Sequence, residues 1–130
     1  MLNGIHHVAI ICSDYVRSKA FYIEVLGLEM IEEHFRETRD SWKLDLRLPD
    51  GSMIELFSLP DAPQRPSYPE AQGLRHLAFK VDSVAQVSDQ LKAKGIDVEP
   101  IRVDEYTGKQ FAFFSDPDGL PLEIYQSSDD

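Results

Sequence analysis

PDGSMIELFS at 49–58 and PDGLPLEIYQ at 117–126 are built alike: a Pro-Asp-Gly turn, then an apolar run interrupted by one acid, Glu55 in the first and Glu123 in the second. Gly takes a positive φ in such a turn without strain, so each stretch reads as a hairpin turn that feeds a strand. The likeness extends outward. Asp14 and Asp82, Gly27 and Gly95, Asp50 and Asp118, and Glu55 and Glu123 all stand 68 residues apart. HVAII at 7–11 resembles HLAFK at 76–80, with His7 and His76 separated by 69. That difference places one extra residue in the first half, between its histidine and its helix start. The chain is one unit, duplicated.

Each unit reads as strand, helix and three strands. Residues 5–12 and 74–81 run apolar or alternate as strands do. In the second unit Val84, Val87 and Leu91 share a helical face, Ser83 with Gln86 suits a capping box, and Gly95 suits the left-handed position after a helix. In the first, Val16, Ala20, Ile23 and Gly27 do similar work. Strands follow near 28–36, 42–48 and 52–58, and again near 97–102, 109–115 and 120–126. Residues 60–73 hold four of the eight prolines and read as a linker. The expected organisation is one domain over 1–130, with a first module at 1–59, the linker at 60–73 and a second module at 74–130.

A chain of 130 residues with 42% hydrophobic and 28% charged residues has the composition of a soluble globular domain. No apolar run approaches the roughly 20 residues of a membrane span, and no basic, apolar targeting segment opens the sequence, so a cytoplasmic location is expected. A net charge of −10 opposes binding to nucleic acid phosphates or anionic membranes. The single cysteine, Cys12, excludes an internal disulfide and reads as a small core residue.

Strand alternation sorts the remaining side chains by face. His7, Ala9 and Ile11 point one way, as do His76, Ala78 and Lys80. Glu55 lies with Met53 and Phe57, and Glu123 with Tyr125, away from the bulky residues that suit the helix side. Each unit therefore offers one His and one Glu on a helix-free face. Taken singly, a strand histidine is more often structural and a strand glutamate more often a solvated charge. Recurrence of both in a duplicated unit reverses that balance. A buried carboxylate needs a partner, and two imidazoles with two carboxylates suit one divalent ion. The donors favour Zn²⁺, Ni²⁺, Co²⁺, Mn²⁺ or Fe²⁺ over Ca²⁺ or Cu⁺, and four protein ligands on an octahedral ion would leave two positions for substrate or water. His6 has no counterpart, since position 75 is Arg, and reads as a structural or supporting group; His34 reads as surface.

HHVAIICSDYVRSKAFYIEVLGLEM, MIELF, GLRHLAFKVD and FFSDPDGLPLEIY together resemble the vicinal oxygen chelate (VOC) superfamily, which has the glyoxalase I, bleomycin-resistance and dioxygenase fold, over essentially the whole chain. The resemblance implies an α+β fold, two tandem βαβββ modules forming a curved mixed sheet around a metal-centred cleft. Carried over by position, the ligand pattern of the short bacterial glyoxalase I forms falls on His7, Glu55, His76 and Glu123, and it leans towards Ni²⁺ or Co²⁺, with Zn²⁺ next. The presence of Glu55 favours a glyoxalase I-like lyase or isomerase over the two-His, one-carboxylate Fe-dependent dioxygenases and over the metal-free toxin-binding members. The implied reaction moves a proton next to a carbonyl, with Glu123 as the leading base and Glu55 as its partner.

RETRDSWKLDL, RPSYPEAQGLRHLAF and RVDEYTGKQFAFF look like segments of short bacterial glyoxalase-related proteins. They carry candidate substrate contacts for an anion or a ring: Arg39, Trp42, Arg75, Tyr106 and Lys109. The loop 103–109 is a candidate lid. The glutathione-holding positions of glyoxalase I have no counterpart, so a thiol cofactor stays open. By resemblance the protein is expected to act on a small-molecule substrate and to form a homodimer, with the site within one chain or shared between two.

Overall fold

The computed structural model describes residues 1–127, and its contacts divide the chain into two compact units, Met1–Gln64 and the segment from Arg65 onward. The first contains β1 (His7–Cys12), α1 (Tyr15–Ala20), which runs on into a π-helical turn at Phe21–Val25, β2 (Glu29–Arg36), a 3₁₀ turn at Glu37–Arg39, β3 (Ser41–Arg47) and β4 (Met53–Ser58). The second contains β5 (Leu77–Val81), α2 (Val84–Ala93), β6 (Arg102–Val103), β7 (Gln110–Ser115) and β8 (Pro121–Gln126). Both are βαβββ units, and each forms its own four-stranded mixed sheet, in the orders β1-β4-β3-β2 and β5-β8-β7-β6. The first strand of each unit pairs in parallel with the last, while the other pairs are antiparallel. No helix among the described residues is long and apolar enough to cross a membrane.

The Pro-Asp-Gly stretches turn the β3–β4 and β7–β8 hairpins. Gly51 and Gly119 sit at φ +90° and +80°, which a side chain would oppose. The Asp116 carboxylate accepts the backbone N–H groups of Asp118 and Leu120, both at 2.9 Å, and holds the second turn from within. Beyond the turns, alternation decides what is buried. Leu44, Leu46, Ile54 and Leu56 pack on the helix side of the first sheet with Phe21 and Tyr22, and Ala112, Phe114, Leu122 and Ile124 do so in the second with Val84 and Leu91. Each of the larger side chains contributes about 1.5–3 kcal/mol by leaving water. Cys12 is buried among them.

Three differences from the sequence expectation stand out. β1 and β5 begin at His7 and Leu77 rather than at 5 and 74, so His76 stands one residue before its strand. The strand expected over 97–102 is reduced to Arg102–Val103. Glu99 still donates its N–H to the Phe113 carbonyl at 2.8 Å, but Pro100 has no N–H to continue the ladder.

The third difference is in the helices. Asp14 caps α1 by accepting the Arg17 N–H, and its counterpart at α2 is Ser83, which accepts the Gln86 N–H. Asp14 and Ser83 are 69 apart, like the two histidines, whereas Gly27 and Gly95 are 68 apart. The extra residue therefore lies inside the first helix and not before it. There the Leu26 N–H reaches the Phe21 carbonyl, five residues back, at 3.0 Å, the hydrogen bond of a π turn. The closing bond of the helix lengthens to match: Leu28 donates to Tyr22, six residues back, where Ile96 donates to Leu91, five back.

Candidate functional site

In the first unit the parallel β1–β4 ladder pairs His7 with Met53 and Ala9 with Glu55. Ala9, having almost no side chain, leaves room above it, and the His7 imidazole and Glu55 carboxylate meet there, Nε2 to Oε2 at 3.5 Å. The second unit repeats the arrangement. Ala78 pairs with Glu123, and His76 Nε2 stands 3.3 Å from Glu123 Oε1. Both carboxylates are largely covered, with side-chain exposures of 17% and 11% against 39% and 34% for the histidines. Each pair thus has a shielded acid beneath a reachable imidazole.

The surroundings of the two acids differ. Glu55 faces Asp45 across the β3–β4 ladder, a like-charge contact that Lys43 relieves, with its ammonium 2.7 Å from Asp45 and 3.9 Å from Glu55. Glu123 instead faces Phe113, and Phe111 faces Tyr125. The Phe113 ring meets His76 edge-on at 5.0 Å, and Arg102 lies over Phe111 and Phe113 at 5.0 and 5.4 Å. Lys43 and Phe111, and Asp45 and Phe113, are again 68 apart. The repeat keeps the His–Glu pair and changes its neighbours from charged to aromatic. None of Lys43, Asp45, Phe111, Phe113 or Arg102 was singled out from sequence, although the alternation that selected the glutamates, carried across each hairpin, picks them out.

His6 lies beside the first pair, with its Nδ1 2.9 Å from the Nδ1 of His7. One of these nitrogens must carry the hydrogen. When it is His7, the His7 Nε2 lone pair is left facing Glu55. Such orientation is the usual service of a partner to a ligating histidine.

The five candidate substrate contacts have separate positions. Trp42 is on the helix side of the first sheet, because Asp45 shares the Glu55 face and Trp42 alternates with it. Its ring stacks on Tyr15 at 5.2 Å, away from His7 and Glu55. Arg39 ends the exposed turn after β2. Arg75 braces the linker, donating to the Ser67 carbonyl at 2.7 Å and covering the Tyr68 ring at 4.9 Å. Tyr106 is almost wholly exposed and Lys109 half-buried. Both belong to a loop tied to the Glu123 face: the Tyr125 hydroxyl donates to Asp104 at 3.0 Å and hydrogen-bonds Thr107 at 2.5 Å. The Tyr106 N–H, with Tyr125 next, holds the Asp104 carboxyl below its ordinary range. The candidate lid is therefore a turn braced on the second sheet.

Two donors of one ion, with bond lengths near 2.0–2.2 Å, stand about 2.8–3.6 Å apart at right-angled to tetrahedral geometry. The separations of 3.5 and 3.3 Å and the nitrogen–carboxylate chemistry fit that spacing, so each pair fits half of a coordination shell. No group of three or more His, Cys, Asp or Glu among the described residues is placed to hold an ion.

Known proteins share this chain's sequence and fold. Over 126 residues it is 58% identical to the uncharacterized protein YwkD of Bacillus subtilis, covering 97% of this chain and 98% of the other. It is 55% identical over 125 residues to the uncharacterized protein YaeR of Escherichia coli, covering 96% and 97%. The crystal structure of a glyoxalase family protein from Enterococcus faecalis matches with a TM-score of 0.88 and 52% identity, over 94% of this chain and 96% of that one. The model of one family matches residues 4–124. The chain belongs to the Glyoxalase/Bleomycin resistance protein/Dioxygenase superfamily.

Proposed function

We propose that this protein is a metal-dependent lyase or isomerase of the glyoxalase I type, working in the cytoplasm on a small oxygenated molecule. His7, Glu55, His76 and Glu123 are the ligands in this reading, with Ni²⁺, Co²⁺ or Zn²⁺ preferred over Mn²⁺ or Fe²⁺. The observation that carries it is the repeated register: in both units an alanine pairs with the glutamate, and the histidine two residues before that alanine faces the carboxylate. When bound, the ion supplies Lewis-acid polarisation of a substrate carbonyl. Glu123 removes the proton from the adjacent carbon and returns it to the neighbouring one, and the aromatic cover from Phe113 keeps water away from that transfer. Glu55, with Lys43 and Asp45 as its charged neighbours, serves mainly as a ligand. The second His–Glu pair of each site comes from the same chain or from a second copy, and a homodimer suits the exposure of Ile5, Ile11 and Leu74.

Elemental analysis of protein purified without chelators, together with turnover of α-oxoaldehydes with and without thiols, tests the reading. The expected result is about one ion per four-donor set and activity lost on chelation. Glu123→Gln should lower kcat by roughly 10²–10⁴ while substrate still binds. Protein with under about a tenth of an ion per chain, and no gain from added Ni²⁺, Co²⁺ or Zn²⁺, would sink the proposal. A second reading, a protein that sequesters a ring-bearing molecule without an ion, draws on the aromatic face of the second unit and predicts tight binding unaffected by chelators.

A further inference from the structure

We infer that Arg102, lying across Phe111 and Phe113, is the anchor for an anionic group of the substrate, so that the substrate class is a small organic acid with a flat or apolar body. The inference rests on the proposed function for the His76–Glu123 centre and adds the chemistry of what binds beside it. Arg102 comes from β6, opposite Phe111 in the ladder. Its guanidinium carbon is 5.0 and 5.4 Å from the two ring centroids, which holds the cation against the rings while the side chain stays 55% exposed and open to a ligand. Among the described residues its one ion-pair partner is Glu99, 3.9 Å away and 64% exposed, too far for a hydrogen bond. An arginine edge matches a carboxylate or phosphate in a way no neutral group does.

Position makes this edge relevant to the reaction centre. Phe113 is in contact with both Arg102 and His76, so one aromatic ring links the cation to the His–Glu pair. A ligand whose body lies on Phe113 can reach both. The first unit differs at the matching positions: 68 residues before Arg102 stands His34, paired with Glu32 at 3.2 Å, Lys43 and Asp45 replace the two rings, and the arginine over a ring is instead Arg36, 4.9 Å from Phe57 and donating to Ser41 at 2.9 Å. The arrangement of one arginine across two rings next to the His–Glu pair is thus particular to the second unit.

Catechol and 3,4-dihydroxybenzoate are the probes, identical except for the carboxylate. Their affinities are measured by calorimetry with chelated protein and with Zn²⁺-loaded protein, for wild type, Arg102→Met, Arg102→Lys and Glu99→Gln. The carboxylated probe should bind wild type about three- to tenfold more tightly than catechol. Arg102→Met should abolish that preference, Arg102→Lys should retain part of it, and Glu99→Gln should increase it. Equal affinity of the two probes for wild type, or an undiminished preference in Arg102→Met, overturns the inference. Dependence of either affinity on Zn²⁺ bears on the proposed function separately, since the carboxylate preference is read as a ratio within each metal state.

Discussion

Glu33 on β2 ties α1 to the first sheet, and removing its charge should loosen that attachment by a calculable amount. Its Oε2 accepts from the Tyr15 hydroxyl at 2.5 Å and from the Lys19 ammonium at 2.7 Å, in a partly buried position. Glu33→Gln keeps the shape and one neutral hydrogen bond but loses the charge assistance to both partners, a cost of about 1–2 kcal/mol. With an unfolding entropy near 2.1 cal/mol/K per residue over 130 residues, Tm should fall by roughly 4–7 °C. Trp42, the single tryptophan, stacks on Tyr15, so its fluorescence reports on this junction during a thermal melt. Lys19, first, and Tyr15 lower the folded-state pKa of Glu33. Its stabilisation is thus complete above the unfolded carboxylate pKa and is lost as pH falls through the lower folded value. The Tm gap between wild type and variant should be constant around neutrality and close below the ordinary carboxylate range. A variant melting within about 1 °C of wild type at pH 7, or a gap that persists in acid, refutes the reasoning.

Three other outcomes are expected. His6→Phe, which removes the hydrogen-bond partner of His7, should weaken binding of added Zn²⁺ by about tenfold or more in a competition titration. Deleting Glu24, the exposed member of the π turn, should leave a folded protein with wild-type Trp42 fluorescence and a crossover helix the length of its counterpart in the second unit. Gly119→Ala places a side chain at φ +80° and should destabilise by about 1–2 kcal/mol in denaturant titrations, because the left-handed region opposes a Cβ.

The superfamily fold, and the facing of His7 with Glu55 and of His76 with Glu123, were legible because a strand has a two-residue period and the same pattern occurs twice. What escaped depends on geometry that single strands do not carry. Trp42 was a candidate anion or ring contact by the resemblance of its segment, while its face follows from the register of β3 against β4. Arg75 stands beside His76 in sequence, yet its guanidinium is held by Ser67 and Tyr68 through the fold of the linker. The short β6 follows from Pro100, whose effect depends on which partner strand wants its missing N–H. Counting between repeats detected the extra residue of the first half but placed it before the helix, because two aspartates, only one of which caps a helix, happen to lie 68 apart.

The π turn shows how this architecture tolerates a change of chain length. An insertion in a strand would reverse the facing of every later side chain and separate histidine from glutamate. Placed in the crossover, it is absorbed between Phe21 and Leu28, and β1 still meets β4 in the register that β5 keeps with β8. The helix acts as an expansion joint: growth of the connection is taken up there, and the spacing of histidine and glutamate within the unit is left alone.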